Sequence, residues 1–164
     1  MSLGCRISTA APSCCSWPAI KLAINEQVRA GVHVVTLFSD VAGSMREVFV
    51  GADNRASGRT AGLLLARMAS PTRDTLLLLS QTTRMSAEIE RRIGFAQVVA
   101  ERFRQLKVVR APDLPYDDAG IYTSLREYLQ SEIDPSCLAG IYSVGVGTDG
   151  IVRALRELGI DQMQ

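Results

Sequence analysis

Residues 75–103 read TLLLLSQTTRMSAEIERRIGFAQVVAERF, and the fold turns on this stretch. From Thr75 the chain runs apolar without interruption to Leu79. A short apolar run without polar alternation is the pattern of a strand covered on both faces, as in parallel sheets. Residues 81–86 are a polar loop, and 87–103 carry the period of a long helix. Strand, loop and helix together make one βα unit.

The same grammar recurs on both sides. Pro18 is well placed at a helix start, with Ile20, Ala23, Ile24 and Val28 at helical spacing and Gly31 at the close. Residues 32–38 and 48–50 are short apolar runs rich in β-branched side chains, and 55–68 form a helix broken by Ser70-Pro71-Thr72. Downstream, strands are expected at 106–109 and 138–144, and helices at 121–129 and 148–158, the last closed by Gly159. Strands alternating with helices predict an α/β fold of parallel βαβ units. Such folds bind ligands beyond the carboxyl ends of their strands. That rule selects the loops at 38–43, 51–54, 81–86, 110–118 and 143–149.

Composition narrows the function classes. The 164 residues are 47% apolar and 21% charged, the balance of a globular protein rather than a disordered tail. A net charge of +1 shows no basic excess for nucleic acid, and 5% aromatics argue against base-stacking platforms. Cys5, Cys14, Cys15 and Cys137 lack paired Cys-x-x-Cys spacing, and His33 is the one histidine, so neither a metal site nor a disulfide framework is expected. No apolar stretch approaches the ~18 residues of a membrane span. Nor does the N-terminus carry an apolar core of signal-peptide length.

Several clusters have the chemistry to bind something. Gly145-Val146-Gly147-Thr148-Asp149-Gly150 follows a strand and opens a helix, as a dinucleotide fingerprint does. It lies in the last βα unit, however, and the strand bearing a ribose-binding acid would fall beyond the end of this chain, so a glycine-rich turn is the preferred reading and no cofactor is expected. Catalysis needs a nucleophile, a base and an orienting group together. His33, in an apolar run, reads as a core or strand-edge residue, so no enzyme is expected. Ser39-Asp40 and Asp53-Asn54 each follow a strand run and suit binding of hydroxyls or amides, with Asn54 also fitting a helix N-cap. Arg84, Arg91 and Arg92 surround the start of the 87–103 helix. Arg92, four residues after Glu88, reads as a solvated ion-pair partner, while Arg84 and Arg91 are placed to reach a ligand.

Three stretches resemble the lactose-repressor (LacI/GalR) family of transcriptional regulators. Gly31-Val32-His33-Val34-Val35-Thr36-Leu37 resembles its "G-[IV]-P-V-V" strand, with His33 in place of proline. Val50-Gly51-Ala52-Asp53-Asn54-Arg55-Ala56-Ser57-Gly58-Arg59-Thr60-Ala61 resembles its "D-N" turn and helix. Arg91-Arg92-Ile93-Gly94-Phe95 matches its "R-x-x-G-F" helix entrance. Order and spacing agree from about Pro18 to Gly159.

The resemblance implies two Rossmann-like lobes of a type I periplasmic-binding-protein fold, with part of each lobe absent. It divides the chain into an irregular segment at 1–17, part of a first lobe at 18–72 and part of a second at 73–164. It also implies a cytoplasmic, dimeric regulator whose effector is a sugar or similar polar metabolite, with DNA bound by a headpiece outside this chain and no membrane partner. Ligand-binding residues so implied are Arg91, Asp53, Ser39 and Asp40. Arg84 joins them from its place in the loop, and Ser143 as the polar group left where relatives carry "N-D". The alternatives are a periplasmic sugar-binding protein of an uptake system and a dinucleotide-binding Rossmann enzyme.

Overall fold

The computed structural model describes residues 17–81, 85–145 and 147–160. It has two compact units, one made of Met1–Leu37 with Val41–Val50, the other of Phe38–Asp40 with Gly51–Gln164. Of the segment expected to be irregular at 1–17, all but Trp17 lies outside the described residues.

In the first unit, α1 (Trp17–Arg29) is followed by two parallel strands, β1 (Val35–Leu37) and β2 (Val48–Val50). Gly31 ends the helical segment at φ +82°, a left-handed conformation that glycine adopts without penalty. β1 is shorter than the apolar run that predicted it. His33 stays outside the strand, exposed, with Nδ1 2.5 Å from Glu47 Oε1. The expectation of a core or strand-edge histidine is therefore corrected: a carboxylate partner holds it at the surface and raises its pKa.

The second unit holds a three-stranded parallel sheet ordered β4-β3-β5, from β3 (Thr75–Leu79), β4 (Lys107–Arg110) and β5 (Leu138–Ser143). β3 is central and buried at all five positions, so its unbroken apolar run has a direct cause. Leu76 and Leu78 pack with Phe95, Val98 and Val99 of α3 (Ser86–Arg102) and Ala66 of α2 (Asn54–Met68). Leu77 and Leu79 pack on the other face with Ile121, Leu125 and Leu129 of α4 (Asp118–Glu132) and Ile151 and Ala154 of α5 (Thr148–Glu157). Each buried leucine contributes about 1.5–3 kcal/mol relative to exposure. The fold class is as expected, α/β with parallel strands.

Glycines set how α2 and α3 meet. A Cβ on Gly58 would stand 2.0 Å from the Arg91 carbonyl oxygen, and one on Gly94 would stand 2.1 Å from that of Arg55. The two backbones touch where each helix lacks a side chain. This contact groups α2 with the sheet that follows it in one compact unit.

Glycines also shape the turn at 145–150 that carries the dinucleotide-like spacing. A Cβ on Gly147 would stand 2.0 Å from Ile121 Cδ1, and one on Gly150 2.4 Å from the Asp118 carbonyl oxygen. The Gly150 amide already donates to Asp118 Oδ1 at 3.3 Å. These glycines allow α5 to approach α4, and a carboxylate from the protein itself occupies the α5 amino end.

Among the described residues, no helix is long and apolar enough to cross a membrane. Replacing Gly94 by alanine should force the α2–α3 backbones apart and destabilise the chain by at least about 1–3 kcal/mol, the cost of overpacking. Urea unfolding measures the loss, and wild-type stability in the variant would show that the contact is dispensable.

Candidate functional site

Buried polar groups of the second unit, Ser80, Gln81 and Glu88 among them, lie at the carboxyl ends of its strands. β3 runs out into Ser80 and Gln81, both almost fully buried. β4 ends at Arg110, and β5 leads into Val144 and Gly145. The first turns of α3 lie over this edge and contribute Glu88, Arg91 and Arg92.

Asp53 caps α2, its Oδ1 accepting from the Ala56 amide at 2.8 Å. It takes the cap that the sequence reading offered to Asn54, whose side chain is free for another task. Asn54 is buried, and its Oδ1 accepts from Arg91 Nε at 2.9 Å. Arg91 Nη1 donates to the Val144 carbonyl at 3.3 Å. One guanidinium thus joins the start of α2, the start of α3 and the end of β5. Both acceptors are neutral, so they leave its positive charge uncompensated.

Glu88 and Arg92 depart from the surface ion pair expected of them. Glu88 is only 7% exposed, and its Oε2 has no hydrogen-bond partner. Arg92 has two buried nitrogens, Nε and Nη1, likewise without partners. Burial pushes the Glu88 carboxyl up, opposed by the charges of Arg92 and Arg91 and reinforced by Asp113. Burial also pulls Arg92 down, helped by the neighbouring Arg110 charge. The helical period explains the placement: 88, 91, 92, 95, 98 and 99 form one stripe, whose apolar end packs on the sheet and whose polar end overhangs the strand termini.

The remaining groups are tied into the same edge. Gln81 Nε2 donates to the Pro115 carbonyl at 3.0 Å, and Arg110 pairs with Asp113 and approaches Ser80 Oγ at 3.4 Å. A Cβ on Gly145 would lie 3.3 Å from Gln81 Oε1 and 3.6 Å from Glu88 Oε1, so the glycine leaves both oxygens uncovered from that side. The Asp40 carbonyl accepts from Ser86 Oγ at 2.7 Å, while Ser39 Oγ is buried without a partner. Phe38, just before them, has φ +64°. Ser143 is half-buried at the end of β5, in register with Leu79. Arg84 lies outside the described residues.

Of the residues singled out from sequence, Arg91 meets Asn54 beside the Asp53 cap, and Asp40 meets the start of α3. Glu88, Arg92, Gln81 and Arg110 were missed. Their signals were present: the first two share the apolar stripe of α3, and the last two end strand runs.

Two measurements check this electrostatic picture. Asn54→Ala removes the Arg91 Nε acceptor and should cost about 1.5–3 kcal/mol in urea unfolding, the range for a hydrogen bond to a charged group. Glu88 binds its proton more tightly folded than unfolded. The resulting stability is fully present below the unfolded carboxyl value of about 4.3 and is lost as pH rises through the raised folded value. Glu88→Gln should therefore be more stable than wild type near pH 7, with the gap closing toward pH 4. A less stable variant at pH 7 would contradict it.

No curated protein matches the chain in sequence. Solved structures that resemble it include the periplasmic component of an ABC-type sugar transport system from Hahella chejuensis, at 20% identity and TM-score 0.74, covering 85% of this chain and 50% of that one. A glucose-galactose binding protein, GanP, from Geobacillus stearothermophilus resembles it at 19% identity and TM-score 0.77, covering 90% and 51%. An ABC transporter solute binding protein from Mycobacterium smegmatis, with bound glycerol, does so at 23% identity and TM-score 0.73, covering 88% and 49%. The chain spans about half the length of these structures. The family described as periplasmic binding protein domain matches residues 13–163, nearly the whole chain, and this protein belongs to that family.

Proposed function

We propose that the carboxyl edge of the second unit binds a sugar or similar small polar metabolite, as part of a solute-binding receptor of the sugar-uptake kind. The observation that carries this reading is the convergence of Glu88, Arg91 and Arg92 beyond the strand ends, with buried polar atoms that the fold leaves unpaired. Open parallel α/β sheets present ligand sites at that edge. The descriptions of the similar structures as sugar transport and sugar-binding proteins support the choice of ligand and of role.

A regulator of the LacI type is the second reading, supported by the order of the Asp53-Asn54 and Arg91-Phe95 motifs. A cytoplasmic location, a dimer and a DNA-binding headpiece belong to that reading. The motifs discriminate poorly, because Asn54, Gly58, Arg91 and Gly94 are explained by the α2–α3 crossing in either role. Finding a helix-turn-helix or an export signal encoded immediately upstream in the gene separates the two.

The ligand reading is tested by thermal unfolding with a sugar panel and with NAD and NADP. A ligand present at 100 times its Kd stabilises the folded state by about 2.7 kcal/mol. The expected outcome is a concentration-dependent rise in Tm with one or more sugars and none with the dinucleotides. A rise in Tm with a dinucleotide and none with any sugar would overturn the assignment.

A further inference from the structure

We propose that Glu88 is the specificity-determining acceptor of this edge and that it selects a neutral ligand carrying adjacent hydroxyls. The proposal rests on the binding reading above. A carboxyl that is 7% exposed with one oxygen unpartnered is costly to keep. Folding alone does not require it, since an apolar or amide side chain of similar size would avoid the desolvation. Perturbed, buried ionisable groups in such positions mark candidate binding sites.

The neighbours define the ligand class. Arg91, Arg92 and Arg110 bring three guanidinium groups to the edge, which disfavours a cationic amine. Glu88 itself and Asp113 disfavour a carboxylate or phosphate lying against them. A hydroxyl donates one hydrogen bond and accepts others. It therefore satisfies a carboxylate oxygen and a guanidinium N–H at once, and two adjacent hydroxyls extend that pattern across Glu88 and Arg92. Oε1 lies on the side that Gly145 leaves uncovered. Rotation about the last Glu88 torsion, which is broad and roughly two-fold, exchanges the two oxygens without moving the helix.

The test uses the 164-residue chain and its Glu88→Gln variant, titrated calorimetrically with neutral hexoses and pentoses, the matching uronic acids and the matching amino sugars. The expected result is binding of a neutral sugar by wild type, at least tenfold weaker in Glu88→Gln, with the Tm of the variant equal to or above that of wild type. Unchanged sugar affinity in the variant would overturn the role of Glu88 while leaving the binding reading intact. So would a fall in its Tm, which marks a structural carboxylate. Preference for a uronic acid or an amino sugar would overturn the neutral class. Wild type binding no sugar in the panel would defeat the binding reading itself, and the proposal with it.

Discussion

The backbone contact between α2 and α3 is the constraint on which the rest depends. Gly58 sits against the Arg91 carbonyl and Gly94 against that of Arg55, a reciprocal approach that a methyl group on either helix would block. Gly62 extends the seam, since a Cβ there would stand 2.6 Å from Val98 Cγ1. Bare backbone against bare backbone allows the helices to come close enough for Asn54 to accept from Arg91. Cross-helix ion pairs, Arg59 with Glu101 and Arg55 with Glu90, decorate the outer side. Exposed pairs of this kind contribute little and do not set the geometry.

From that crossing follows the chemistry of the strand ends. Arg91 is held by two neutral acceptors and becomes a strut between helices and sheet. Its fixed positive charge, with that of Arg92, offsets part of the desolvation that pushes the Glu88 carboxyl up. Among the described residues, Glu88 Oε2 and Arg92 Nε and Nη1 are buried without hydrogen-bond partners on groups brought over the sheet by the first turns of α3, while the apolar turns below them pack on the sheet. An apolar packing face and a polar overhang thus divide one helix between them.

Much of this was legible in the sequence because the physical signals are local. The apolar run at 75–79 and the helical period at 87–103 translate directly into β3 and α3. α4 began three residues earlier than its apolar period indicated because Asp117 caps it by accepting from the Gly120 amide at 2.7 Å. What periodicity could not supply was partner choice. Glu88 and Arg92 satisfy the i, i+4 spacing of a surface pair, yet Glu88 is buried and Arg92 half-buried at the strand ends, and Glu88 Oε2 and Arg92 Nε and Nη1 have no hydrogen-bond partner. His33 failed in the opposite direction, since its apolar neighbours suggested a core that β1 does not extend to reach. The glycines of 145–150 fit two readings in the sequence, because tight helix packing and phosphate approach both demand a missing Cβ.

The crossing is tested most directly by a double-mutant cycle. Stability is measured for Gly94→Ala, Asn54→Ala and the double variant by urea unfolding. If the glycine contact positions Asn54 against Arg91, parting the helices already breaks that hydrogen bond, and the second substitution adds little. The predicted coupling between the two sites is about 0.5–3 kcal/mol. Strictly additive losses would contradict the account, because Asn54 and Arg91 would then meet whether or not the helices touch.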